Sequence, residues 1–238
     1  MTCSIRFKIV MPMMFRKPGE FTPFARGPQI TATSSPLPIP TTILGAISSC
    51  LMDLRGLPYL KIEDTVEWYE EFETAMNLRT EDWFRGPYLL LDHKGMLKIY
   101  IQYRDELISL NSLYPAIEGF SQHILKSGLD RKVLRIINDL LERAPILFRD
   151  RVGIALDDVV RGVREGFIYM SREVDYSELI RKGDVYIAMD TSKDIKEVHN
   201  KVIGLGGERR TVGISVKEPI FIEMIRKELE EWRERRTV

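Results

Sequence analysis

The chain has 238 residues, 44% of them hydrophobic and 29% charged, and its formal net charge is zero. That length and apolar content suit one large or two small globular cores and exclude a disordered or fibrous chain. With no net charge there is no protein-wide basic field, so any site for a polyanion must be local. In chain order, Ser4 to Met14 reads as a buried first strand cut at Pro12, followed by a polar, Pro-rich loop. Arg6 and Lys8 interrupt its apolar run, which argues against a secretory leader. Thr41 to Leu54 is expected as a helix with Ile43, Leu44, Ile47, Cys50, Leu51 and Leu54 on one side. The apolar stretch Ile43 to Met52 falls well short of the ~20 residues a membrane span needs. Cys3 and Cys50 are too few for a disulfide framework or a zinc site. A cytoplasmic protein without metal, cofactor or membrane contact is expected.

Charge is uneven along the chain. From Met1 to Leu60, Arg6, Lys8, Arg16, Lys17, Arg26 and Arg55 face only Glu20 and Asp53, a net charge of +4. From Lys61 to Asp82, Lys61 and Arg79 oppose eight acids, a net charge of −6. There Ile62, Val66, Tyr69, Phe72 and Met76 recur at three or four residues, the pattern of an amphipathic helix with an acidic outer face. Such a face is either solvated or meets a basic protein; RNA would avoid it.

Tyr88 to Asp92 and Leu97 to Tyr103 flank His93-Lys94-Gly95, a hairpin signal, and Asp130 to Arg143 reads as a second amphipathic helix. Val152 to Leu156, Gly166 to Val174 and Val185 to Met189 read as strands. A helix is expected from Ser192 to Ile203, a strand from Thr211 to Val216, and a last helix from Pro219 through Trp232. This order predicts an α+β fold of two ferredoxin-like units with antiparallel sheets, residues 1–150 and 151–238, with a soft boundary near Asp150.

The glycine-rich loop is the first candidate site. Gly204, Gly206 and Gly207, set between the expected helix and strand, admit φ > 0 and close approach of a phosphodiester to backbone N–H groups. Arg209 and Arg210 add charge-assisted bonds. The alternative is a turn in which Gly204 only caps the helix. The loop follows a helix and lacks a Lys-Ser/Thr pair, so it is not a P-loop. Arg16, Lys17 and Arg26, interleaved with Phe15, Phe21 and Phe24, form a second candidate, where the phenylalanines either stack on bases or plug the loop onto the core. Arg149 and Arg151 are a third, with Asp150 and Asp157 as neutralising neighbours. His93, His123 and His199 fall in no catalytic pattern, and the adjacent acids Asp157-Asp158 and Glu230-Glu231 diverge on a strand or helix. No catalytic residue is expected.

Three segments carry a family resemblance. Residues 35–47, Ser-Pro-Leu-Pro-Ile-Pro-Thr-Thr-Ile-Leu-Gly-Ala-Ile, resemble the Pro-rich approach to the first helix in RAMP proteins of the Cas-five group. Arg151-Val152-Gly153-Ile154 with Gly166-Phe167-Ile168-Tyr169 is similar to that group's Arg-x-Gly-Ile and Gly-x-x-Tyr strands, and residues 204–210 resemble its glycine-rich loop. Gly86-Pro87-Tyr88 adds a likeness to members found in type III-B Cmr effector complexes. The resemblance implies a non-catalytic CRISPR subunit that holds the 5′ handle of crRNA. Its implied neighbours are a large polymerase-like subunit and a repeating backbone subunit. An endoribonuclease on the same fold and a protein-interaction scaffold are the alternatives.

Overall fold

Cys3, Ile5, Phe7 and Ile9 alternate with Ser4, Arg6 and Lys8 along β1 (Cys3–Ile9), so the two-residue period sends the apolar set to one face of a sheet. The structure, a computed structural model, describes residues 2–17, 31–57, 73–74, 76–79, 81–113, 115–118, 138–156, 163–207 and 210–236. After β1 come β2 (Thr31–Ala32), α1 (Pro40–Arg55), β3 (Phe84–His93), β4 (Met96–Tyr103), β5 (Glu106–Ser109), β6 (Leu147–Leu156) and β7 (Val163–Asp175). The one-turn α2 (Ser177–Ile180) then leads to β8 (Asp184–Thr191), β9 (Val202–Leu205), β10 (Arg210–Lys217) and α3 (Phe221–Arg236). Seven strands form an antiparallel sheet in the order β5-β4-β3-β8-β1-β10-β9. A second sheet, β2-β7-β6, pairs β6 and β7 as a long antiparallel hairpin and β2 parallel to β7. The fold is α+β, as expected.

Pro40 opens α1 with its preset φ, and Gly56, at φ +64, closes it. Gly56 and Leu57 donate their N–H groups to Asp53 and Met52, satisfying two terminal carbonyls. Ile43, Ile47 and Leu51 of α1 pack on Ile5, Phe7, Ile9, Leu89, Leu91, Ile187 and Ile214 in the main core. Each such side chain contributes about 1.5–3 kcal/mol on burial. The opposite face of the sheet is covered over β3, β4 and β8 by Ile220, Phe221, Met224 and Ile225 of α3 and its approach.

That second face holds a buried polar network. The Tyr88 hydroxyl donates to Asp190 Oδ1 at 2.7 Å and lies 3.1 Å from Ser4 Oγ. Asp190 Oδ2 accepts the first N–H of α3, from Phe221, at 3.1 Å, and the Phe221 ring stacks on Tyr88 with centroids 5.1 Å apart. Arg6, almost fully buried on the neighbouring position of β1, donates to the Glu218 carbonyl at 3.3 Å. The network ties the central strands to the start of α3.

Two differences from the expected elements bear on the site. Ser192 to Ile203 is not a helix: a 3₁₀ turn at Lys196–Val198 is followed by β9. Ile195 and Val198 are buried as the helical spacing requires, but Val202 is 67% exposed because Val202 and Ile203 pair with Gly213 and Val212 of β10. Sheet pairing overrides a helical spacing built on β-branched residues. The glycine-rich loop therefore joins two strands of a hairpin rather than a helix and a strand. The expected boundary at residue 150 falls inside β6, and β1 is flanked by β8 and β10, so the halves interlock in one sheet. The acidic segment from Lys61 and the segment from Asp130 lie largely outside the described residues. Of them, Met76 is fully buried at a helical position and residues 138–140 are helical.

The hairpin's turn is seated on the stretch that follows β1. Gly206 sits at φ +76, and a Cβ there would lie 2.6 Å from the Met14 carbonyl oxygen and 3.0 Å from the Phe15 ring. Gly206→Ala is expected to lower stability by about 1–3 kcal/mol in urea titration. Gly213→Ala, where a Cβ meets open space, is the near-neutral control. Tyr88→Phe leaves a buried carboxyl oxygen without its donor and is expected to cost about 1–2 kcal/mol. Burial, reinforced by Asp190, pushes the Tyr88 phenol far above its usual range, and burial pushes Tyr100 up to about 12. Phenols that ionise earlier in the unfolded chain hold full stability below pH ~10 and lose it as pH rises toward 12. Alkaline unfolding coincident with tyrosinate absorbance checks this.

Candidate nucleic-acid interface

Alternation along β6 sets Arg149 and Arg151 on one face, opposite Glu173 and Ser171 of β7 in the register. Each arginine reaches diagonally to a carboxylate: Arg149 Nη2 lies 2.5 Å from Asp175 Oδ2, and Arg151 Nη1 lies 3.2 Å from Glu173 Oε1. Arg210, at the start of β10, donates to the same Glu173 oxygen. The Asp175 and Glu173 side chains are 3% and 8% exposed, whereas Arg149 and Arg151 are 61% and 49% exposed. Buried anions thus hold three guanidiniums in place, with Arg149 and Arg151 at the surface and Arg210 partly buried behind them. On the other face, Arg172 binds Asp150 at 2.9 Å. That hydrogen bond holds the Asp150 carboxyl below its usual range.

Residues 13–17 bring this cluster to the other candidates. Met13 exchanges both backbone hydrogen bonds with Val174 of β7, at 2.9 and 2.7 Å. Met14 O accepts the Gly207 N–H at 2.8 Å, Phe15 O accepts the Ser35 N–H at 2.7 Å, and Lys17 N donates to Thr33 O at 3.2 Å. Ser34, bridged to Arg16, donates its hydroxyl to the Arg172 carbonyl. Lys17 pairs with Asp105 at 2.7 Å in the β4–β5 turn, where Gln102 bonds Ser35 and the Arg104 carbonyl.

The structure therefore unites Arg16, Lys17, Arg149, Arg151 and Arg210 around one stretch of backbone. The glycines serve it differently from the sequence expectation. Gly204 lies in β9 opposite Thr211, and the Gly207 N–H is taken by Met14, so it is not available to a phosphate. Phe15 is buried in the main core, the plugging alternative. Arg209, Arg26, Phe21, Phe24, Asp157 and His123 lie outside the described residues. Sequence reasoning missed Arg172, although the alternation of β7 was visible. It also missed Tyr103, 55% exposed beside the Arg104 guanidinium at 5.4 Å, whose only signal was the end of a hairpin strand.

The two described histidines are each engaged by backbone. His199 Nδ1 accepts the Val216 N–H at 2.9 Å, and His93 Nδ1 contacts the Lys182 carbonyl. Among the described residues, no three His, Cys, Asp or Glu side chains gather where they would hold a metal ion. Cys3 and Cys50 are free, buried thiols, and no helix among the described residues is long and apolar enough to cross a membrane.

No family model matches the chain. It is 24% identical over 222 residues to the CRISPR system CMR subunit Cmr3 of Saccharolobus solfataricus, across 90% of this chain and 63% of that protein. Its fold is similar to a chain in cryo-EM structures of the type III-B Cmr-beta complex bound to cognate target RNA, one of them also with AMPPnP. In both the TM-score is 0.60 at 21% identity, over 91% of this chain and 64% of that one. The chain thus spans a little under two thirds of the length of these relatives. In sequence and in fold the chain is thus similar to Cmr3, in line with the CRISPR RAMP resemblance carried by its motifs.

Proposed function

We propose that the chain is a cytoplasmic, non-catalytic subunit of a type III CRISPR effector complex of the Cmr type, binding guide RNA at the 5′ handle of crRNA. The observation that carries this reading is the convergence of Arg16, Lys17, Arg149, Arg151 and Arg210, drawn from three separate stretches of sequence, on the backbone of residues 13–17. The exposed guanidiniums of Arg149 and Arg151, held by buried carboxylates, are preorganised donors for phosphate oxygens. Phosphate contacts position a strand without reading its bases, which suits a constant handle that must be held in register. The likeness to Cmr3 supports the same reading. In it, the large polymerase-like subunit and the repeating backbone subunit are the neighbours, and the fold is two ferredoxin-like units merged at β1. Leu147, Phe148 and Val152 are exposed along β6 and offer apolar area for such a protein contact beside the arginines.

Replacing Arg149, Arg151 and Arg210 together by Ala is expected to flatten the log-affinity against log-salt slope for single-stranded RNA by about 2, at about 0.7 per phosphate. Base preference should not change. Fluorescence anisotropy across a salt series checks this, and a folded triple variant with the wild-type slope would refute the interface.

Metal-free RNA cleavage requires a base for the 2′-hydroxyl and an acid for the leaving oxygen. Because His93 and His199 are each engaged by backbone groups, the pure protein is expected to leave repeat RNA intact with or without divalent metal. Specific cleavage that survives repurification and vanishes in His199→Ala would establish the endoribonuclease reading instead.

A further inference from the structure

At the far end of β1 the turn between β3 and β4 meets the turn between α2 and β8. The two are locked together. Gly183 lies so close to the Asp92 carbonyl that any Cβ there would overlap it, and the His93 ring contacts the Lys182 carbonyl. Between them is an open cleft of about 550 Å³, lined in part by Lys8, Val10, His93, Lys94, Arg181 and Lys182. Its two acids are already engaged: Asp92 accepts the Gly95 N–H at 2.9 Å, and Asp184 pairs with Lys8 at 2.9 Å. Among the described residues, no carboxylate pairs with Lys94, Arg181 or Lys182, and all three are exposed. Three uncommitted cations on two rigidly joined turns form a local excess of positive charge in a chain with none overall.

This cleft lies a few residues along the chain from the arginine interface. Val10 lines it, and Met13, three residues on, is bonded to Val174; three residues of chain span at most about 11 Å. The other wall, Arg181 and Lys182, follows Val174 through the single turn of α2. We infer that the cleft of Lys94, Arg181 and Lys182 is a second phosphate-binding subsite, taking the backbone of the same single-stranded RNA that the arginine cluster holds. This rests on the RNA-binding reading proposed above. It assigns the strand a path from the β6–β7 hairpin, past residues 10–17, to the β3–β4 turn.

The test uses the full chain and labelled oligouridylates of about 6 and about 20 nucleotides, a range bracketing common single-strand site sizes. In the Lys94→Gln, Arg181→Gln, Lys182→Gln triple variant, the salt slope for the longer oligomer should flatten by about 2, while the short oligomer, held at the arginine cluster, binds as to wild type. Circular dichroism and the thermal midpoint verify the fold. A folded triple variant that keeps the wild-type slope on the long oligomer overturns the subsite and leaves the arginine interface standing. Wild-type protein that binds neither oligomer overturns both. Salt-sensitive binding of a polyglutamate peptide, lost in the triple variant while RNA affinity is unchanged, would assign the cleft to an acidic protein and overturn the RNA subsite.

Discussion

The backbone of residues 13–17 has no regular secondary structure of its own, and the arrangement of the basic cluster depends on where its polar groups go. A buried backbone donor or acceptor left unpaired costs about as much as a lost hydrogen bond, so this segment must find partners outside a helix or strand. It finds them in β7 through Val174, in the β9–β10 turn through Gly207, and in the loop before α1 through Thr33 and Ser35. These bonds tie both sheets to one another and draw together side chains far apart in sequence. The left-handed turn at Gly206 belongs to the same constraint, since only a residue without Cβ lets the hairpin come down on Met14 and Phe15.

Electrostatics follows from that geometry. Glu173 and Asp175 lie almost out of water, where a lone carboxylate is strongly disfavoured, and the adjacent guanidiniums of Arg149, Arg151 and Arg210 offset the loss of hydration. The pairing is asymmetric. The acids are buried and the arginines Arg149 and Arg151 remain half exposed, so the anions act as anchors while part of each cation faces solvent. Such pairs are poor evidence of stability but good evidence of placement: they restrict long, flexible side chains before any ligand arrives, which lowers the ordering cost of binding.

The opposite face of the large sheet has a different task. There the Tyr88–Asp190 pair joins the centre of the sheet to the first amide of α3, and Phe221 stacks on the same tyrosine. Because Asp190 serves both the phenol and the helix amide, α3 is registered on β3 and β8 by directed bonds as well as by apolar contact. Arg6 shares this buried face and donates from Nη2 to the Glu218 carbonyl at the approach to α3, so one charged residue of β1 is structural while Lys8, two positions on, reaches solvent.

Period and punctuation in the sequence were enough to place β1, α1, the β3–β4 hairpin, the second half of β6, β7, β8, β10 and α3, because the alternation of Ile5, Phe7 and Ile9 or the helical spacing of Ile43, Ile47 and Leu51 is a property of nearby residues. The kinds of residue that make the basic cluster were also legible, as arginines beside glycines and beside the Pro-rich loop. Tertiary structure alone decided that Val202 and Ile203 belong to a strand, since their pairing partners lie across a turn and outweigh a helical spacing. It alone decided that Arg151 and Arg210 share one oxygen of Glu173, 22 and 37 residues away in sequence. A charge's role depends on which strands come to lie beside it and on how much water they exclude, and neither is a property of neighbours along the chain.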